Sequence, residues 1–178
     1  MDENCHSLDE SSSKVALVLA SITLIIAVLL NIILAFTIFS DKKLRKRANI
    51  YLAFFSVSLA LLAFMFGLDV ISIGYNGWIF GNAICKISAY AVETLIILST
   101  LILLWLCLDR YLMIFKINLY QKRFNNVRLN LGSTAVLACL FGVPFLFIYE
   151  EIKDKCGNNC IAGINNKVLS QVIFLLEV

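Results

Sequence analysis

Four long, nearly uninterrupted apolar runs set what this chain can become: residues 15–39, 50–73, 84–115 and 131–149. A helix needs about 20 mostly apolar residues to cross roughly 30 Å of hydrocarbon, and each run supplies close to that or more. A fifth run, residues 168–176, ends just short of Val178. Composition decides between a soluble core and a membrane. Of the 178 residues, 61% are hydrophobic and 15% are charged. A soluble domain carries about 45–50% apolar and about 25% charged residues. A soluble core of this size could not hide so much apolar surface, so the excess is expected to face lipid. The fold class expected is all-α, an integral membrane helical bundle with helices over about 15–40, 48–74, 82–115, 127–149 and 167–178.

Charge sets the orientation. The first 14 residues, MDENCHSLDESSSK, are polar and acidic, with neither the basic start nor the short apolar core of a cleaved secretory signal. Residues 15–39 therefore read as a retained signal-anchor helix, and residues 1–14 as an acidic extracellular tail before one transmembrane domain, 15–178. Residues 41–47 (DKKLRKR) hold five basic residues and one acid, and residues 116–128 hold four basic residues and no acid. The 74–83 connection is uncharged, and 150–167 is balanced at three against three. Lys and Arg are retained on the cytoplasmic side, so the first and third connections lie inside and the N-terminus outside. The run DKKLRKR could also be a nucleic-acid patch, but a short loop between two spanning helices argues for no nucleic-acid partner.

There are six cysteines. Cys107 and Cys139 fall within apolar runs, where a packed thiol is expected. Cys5, Cys85, Cys156 and Cys160 fall on the outer side, where disulfides persist. Four cysteines allow three pairings, and the sequence does not choose among them. The spacing of Cys156 and Cys160 could suit a metal, but no companion His or Cys completes a ligand set, so no metal is expected. No Gly-rich phosphate loop, Ser/His/Asp set or paired metal ligands are visible, so the chain does not read as an enzyme and no cofactor is implied.

The third run begins Trp78-Ile-Phe-Gly-Asn-Ala-Ile-Cys85 and, after 23 residues, reaches Asp109-Arg110-Tyr111. The Trp-x-Phe-Gly turn, the outer cysteine and the Asp-Arg-Tyr triplet at this spacing resemble helix 3 of rhodopsin-like (class A) G-protein-coupled receptors. Asn31 and Asn49 match the family's polar residues of helices 1 and 2, and Pro144 sits where helix 4 of the family often carries a proline. The resemblance runs from about Val15 onward. It implies the first four helices and the start of the fifth of a seven-helix receptor fold, and a disulfide from Cys85 to Cys160 or Cys156. Asn49-Ile-Tyr-Leu, WIFGNAICK and DRYLMIFKINLYQKR look most like the chemokine and chemoattractant (formyl-peptide, anaphylatoxin) receptors. By this resemblance helices 6 and 7 lie beyond the 178 residues, so the chain is expected to be an N-terminal fragment or truncated form.

Departures from the family pattern accompany the match. Leu59 stands where the family usually has an intramembrane Asp, Thr134 and Ala135 occupy the region of the usual helix 4 Trp, and helix 2 lacks a proline. The resemblance implies that Asp109, Arg110 and Tyr111 form the activation and G-protein coupling motif, with a heterotrimeric G protein as partner of the full-length receptor. The bland alternative is a snorkelling Arg110 paired with Asp109 at the membrane face. Asp69, Val92 and Glu93 are ligand-pocket candidates. Glu93 lies eight residues below Cys85, roughly 12 Å into the membrane at about 1.5 Å per residue. A carboxylate at that depth costs about 2.5–3.5 kcal/mol unless a polar cavity or partner receives it. It could select a cationic group on a peptide, or be a protonated Glu bonded to a neighbouring helix. Asp69, 20 residues beyond Asn49, reaches the outer rim. Asp2, Glu3, Asp9 and Glu10 would attract a basic ligand such as a chemokine, or simply solvate a disordered tail. Trp78 and Phe80 are expected to pack under the disulfide, and Trp105 to be core or lipid-facing.

The resulting expectation is a receptor for an extracellular peptide or chemokine-like ligand in the cell membrane, in contact with lipid and with a receptor dimer as a further partner. Three other readings compete. One is a transporter or channel subunit using Asp69 and Glu93, which would need polar residues repeating along one face of several helices, where the runs show few. A truncated chain could be a non-signalling protein that associates with full-length receptors through helix contacts. A four-helix scaffold would instead need a large cysteine-bearing loop between helices 3 and 4, where this chain is basic and cysteine-free.

Overall fold

The computed structural model describes residues 10–75, 77–115, 126–154 and 157–162. Cys5, Cys156, Asp2, Glu3, Asp9 and the expected fifth helix over 167–178 lie outside these residues. Helix α1 spans Glu10–Ser40, α2 Arg47–Gly74, α3 Gly81–Phe115, α4 Val127–Gly142 and the short α5 Phe145–Ile148. Strands β1 (Tyr149–Asp154) and β2 (Gly157–Ala162) follow. Four helical segments, Lys14–Ser40, Arg47–Gly74, Gly81–Phe115 and Val127–Ile148, are long and apolar enough to span a bilayer. The chain is a multi-pass membrane protein. Consecutive spans pack on one another, and α4 packs mainly on α3.

Large apolar side chains point outward: Leu30, Phe64 and Leu140 are each more than half exposed. The buried positions of α2 are mostly small, among them Ala53, Ser56, Ser58, Ala60 and Ala63. This inversion follows from the solvent. Lipid tails are as apolar as leucine, so helices gain most where small residues let backbones approach and polar side chains bond across the gap. Ser58 of α2 and Ser99 of α3 share such a bond at 2.9 Å, both buried. A larger cluster joins Tyr51, Ile102 and Leu131 with Trp105 packed against it. The Asn130 amide donates to the Tyr51 hydroxyl at 3.1 Å. The Trp105 indole N–H donates to Thr134 Oγ1 at 2.8 Å, and that hydroxyl donates to the Asn130 carbonyl at 2.6 Å. Trp105 is thus a tie between α3 and α4.

Three boundaries differ from expectation. Helix α1 starts at Glu10, not Val15, because an apolar run ending does not end backbone hydrogen bonding. The fourth span is not one helix over 127–149. Pro144 has no N–H to give, and its ring crowds the carbonyl four residues back, so α4 stops at Gly142. The chain bridges the break with short turn bonds, Leu146 N–H to Val143 O (3.2 Å) and Phe147 N–H to Pro144 O (3.0 Å). Finally, the segment beyond Tyr149 forms an antiparallel hairpin, with Tyr149 opposite Ala162 and Glu151 opposite Cys160. Cys107 and Cys139 are free and exposed rather than packed, a position that a weakly polar thiol tolerates in lipid.

Candidate functional site

The functional candidates gather at two poles of the bundle. At the hairpin pole, Gly81 turns the chain into α3 with φ +80°, a left-handed conformation that glycine adopts without strain. One turn later Cys85, fully buried, is disulfide-bonded to Cys160 of β2, with Cα atoms 5.6 Å apart. The Asn82 side chain also accepts the Glu151 N–H at 3.1 Å. The start of α3 therefore holds the hairpin by a covalent bond and a hydrogen bond. Trp78 is only 3% exposed; its indole N–H donates to the Gly81 carbonyl at 2.9 Å, and its ring meets Phe80 edge-on at 5.3 Å.

Between the hairpin and the end of α2 lies a cavity of about 300 Å³, walled by Asp69, Ser72, Trp78, Asn159, Cys160 and Ile161. Asp69 brings a carboxylate to this cavity. Glu93 and Val92 are half-buried in α3 and do not line it. Tyr149, the first residue past the fourth span, links the two acids. Burial raises its phenol above the ordinary tyrosine value, and the charges of Glu93 and then Asp69 raise it further. The two carboxylates and the phenol thus share one electrostatic neighbourhood. Sequence reading missed Tyr149; its signal was a hydroxyl-bearing ring at the end of an apolar run.

At the opposite, basic pole Asp109 is 7% exposed and Oδ2 has no hydrogen-bond partner among the described residues. Arg110 is exposed, and Tyr111, half exposed, packs on Phe115 with ring centroids 5.1 Å apart. The expected pairing of Asp109 with Arg110 meets a geometric obstacle, since successive residues of a helix point about 100° apart. Asp109 turns into the bundle and its charge reaches the Tyr51 phenol, while Arg110 turns out.

The remaining candidates act locally. Asn31 donates to the Ala27 carbonyl of its own helix at 2.8 Å. Asn49 donates to the Leu44 carbonyl at 2.9 Å and ties the first connection to α2. Leu59 is half-buried, and the polar link between α2 and α3 runs through the neighbouring Ser58 instead. Glu10 opens α1.

A family model described as "7 transmembrane receptor (rhodopsin family)" matches residues 30–177. The chain is 32% identical to apelin receptor A of Danio rerio over 92% of its own length and 46% of the relative's. It is 29% identical to melatonin receptor type 1C of Xenopus laevis, covering 77% of this chain and 33% of that one. It is 28% identical to C-C chemokine receptor 1-like protein 1 of Mus musculus, covering 85% and 43%. The chain spans less than half the length of each of these relatives.

Proposed function

The chain belongs to the rhodopsin family of seven-transmembrane receptors, and from that premise we propose that it supplies the ligand-facing first four helices of a G-protein-coupled receptor for a peptide or chemokine-like ligand. The observation that carries this reading is the cavity bearing the Asp69 carboxylate under a hairpin clamped by Cys85–Cys160. A cleft that holds a carboxylate, here Asp69, between low-dielectric walls attracts cationic groups. Asp69 meets the ligand in the cavity, Glu93 adds its charge from α3 outside the cavity wall, and Asp2, Glu3, Asp9 and Glu10 steer a basic ligand toward it. Two of the relatives, an apelin receptor and a C-C chemokine receptor by name, support this ligand class.

In this reading the N-terminus and hairpin face outside at the cell membrane, and the basic pole faces the cytoplasm. The excess of Lys and Arg in residues 41–47 supports that orientation. Arg110, exposed beside a buried Asp109, offers its guanidinium to a heterotrimeric G protein.

The test is binding of a panel of basic chemokines and formylated peptides to the full chain displayed on cells. One basic ligand should bind, with affinity falling as salt rises, and Asp69→Asn should weaken it about tenfold, the loss of a hydrogen-bonded charge contact. Binding that ignores both salt and Asp69→Asn would sink the assignment of the cavity. Labelling of a tag before Met1 from the cytoplasmic side only would sink the orientation.

A further inference from the structure

Strands β1 and β2 form a two-stranded sheet, and its two outer edges differ. In an antiparallel pair, facing residues alternate between exchanging both backbone bonds and exchanging neither. In the second case N–H and C=O point away from the partner strand. Two observations fix the alternation here. Asp154 faces Gly157 across a connection of two residues, and the pair that closes a two-residue hairpin loop is a bonded one. Glu151 then falls at an unbonded position, and its N–H does point away from β2, to the Asn82 side chain at 3.1 Å. By the same parity the N–H and C=O groups of Asn158, Cys160 and Ala162 point away from β1. The outer edge of β1 is occupied, since Asn82 takes Glu151 and α3 packs on the strand. The outer edge of β2 has no bonding partner among the described residues, and it borders the cavity that holds Asp69. On the assignment of this cavity to a basic peptide ligand, we propose further that the ligand binds as an extended strand, pairing with the free edge of β2 as a third strand and presenting a basic side chain to Asp69.

An unpaired strand edge is a template for another strand. Its backbone groups are otherwise satisfied by water, and an extended peptide replaces that water with ladder bonds at Asn158, Cys160 and Ala162. Strand addition takes affinity from main-chain bonds and selectivity from alternate side chains. Side chains of a strand alternate between faces, so basic residues at every second position of the ligand share one face, and one of them meets the carboxylate. A helical ligand satisfies its own backbone groups and makes no use of the edge. Charge decides between an outside peptide and the two occupants this chain could itself supply. The tail, residues 1–14, holds four acids against Lys14 and would bring them to Asp69 and the exposed Glu150. A second copy would set another Asp69 and Glu150 against the first. Like charges brought together oppose both arrangements, and a cationic segment gains from the same field.

The probe is a fluorescent ten-residue peptide amide of alternating lysine and threonine, titrated onto the full chain in neutral detergent. In an extended strand its lysine N–H groups share one edge and its threonine N–H groups the other. Two isomers of identical charge are compared with it, one methylated on the backbone nitrogen of every lysine and one on that of every threonine. One isomer should bind as the parent does. The other should bind about tenfold more weakly or worse, because its methyl groups stand where the bonds to β2 form. Equal affinity of the isomers overturns the proposal. If Asp69→Asn still weakens both, the assignment of the cavity to a basic ligand survives, so the two failures are told apart. Asn158→Pro removes an outward N–H that the β1–β2 ladder does not use. It should weaken the parent peptide about fivefold, the effect of losing one backbone hydrogen bond, while Asn158→Ala leaves binding unchanged. Equal effects of these two substitutions, in proteins that keep the Cys85–Cys160 bond, also overturn the proposal. So does a parent peptide that fails to bind at millimolar concentration. A rise in its affinity on deletion of residues 2–9 would assign the edge to the tail, and an affinity that falls as chain concentration rises would assign it to a second copy; either result overturns the proposal.

Discussion

Gly142 tests whether the seam between α3 and α4 is as tight as the geometry requires. A Cβ placed on it would collide with the Thr94 hydroxyl and come within 3.0 Å of the Tyr90 ring. That ring is itself tied across the seam, its hydroxyl donating to the Cys139 carbonyl at 3.5 Å. Two effects oppose each other in Gly142→Ala. Alanine gains up to about 1 kcal/mol of helix propensity over glycine in a helix interior. Gly142 is the last residue of α4, so most of that gain is missing here. Overpacking a close seam costs about 1–3 kcal/mol because helices or rotamers must move. The steric term wins, and Gly142→Ala should destabilise the chain by about 1–2 kcal/mol.

The assay is reversible unfolding of the reconstituted chain in mixed micelles, followed by tryptophan fluorescence. A double-mutant cycle isolates the contact. Thr94→Ala removes the colliding hydroxyl, so the pair Gly142→Ala with Thr94→Ala should recover about 1 kcal/mol relative to additivity. If Gly142→Ala is neutral or stabilising, or if the two substitutions simply add, then α3 and α4 do not approach as described. The way α4 delivers Tyr149 to the acidic neighbourhood would need another explanation.

Cys85→Ser and Cys160→Ser should each destabilise the chain equally and not additively. A bond closing a separation of 75 residues stabilises by at most about 4.5 kcal/mol in a chain-entropy account, less here because spans stay helical when unpacked. Thermal unfolding with and without reductant reads the effect, and reductant should do nothing to either variant. Tyr51→Phe removes the acceptor of the Asn130 amide, leaving a part-buried donor unpaired at a cost of about 1–3 kcal/mol. Tyr51→Phe combined with Asn130→Leu should regain part of that loss in the same unfolding assay.

The spans were legible because each apolar run exceeds what a soluble core could use, and the third run carried Cys85 and the Asp109 triplet at helical spacing. The resemblance left Cys160 and Cys156 as alternative partners for Cys85, and the sequence itself left three pairings open. Chain pattern does not fix cross-strand register, and only the hairpin sets Cys160 opposite Glu151 and against α3. The ties Ser58–Ser99, Asn130–Tyr51 and Trp105–Thr134 were hidden for a related reason. Serines and threonines in spans usually bond to their own helix, as Ser56 does to the Leu52 carbonyl, so their type does not announce a partner. Pro144 was seen as a residue; its consequence, a helix stopped at Gly142, followed from the missing N–H.

The contacts also assign α3 a particular part. From one end to the other it carries the hairpin bond at Cys85, the acidic side chain at Glu93, the α2 tie at Ser99, the α4 tie at Trp105 and the inward carboxylate at Asp109. Helix α1, by contrast, has none of its most apolar window buried inside the bundle. The disulfide ties the hairpin directly to α3, and α3 packs on α2 and α4. Its polar ties to α2 and α4 are single hydrogen bonds, each worth on the order of 1 kcal/mol, where the disulfide is covalent. Among the ties other than packing, the weaker ones lie between α3 and its helical neighbours, and the strong one lies between α3 and the hairpin. A pull on the hairpin is accordingly carried into α3 by a covalent bond, while the polar ties from α3 to α2 and α4 are hydrogen bonds set within packed seams.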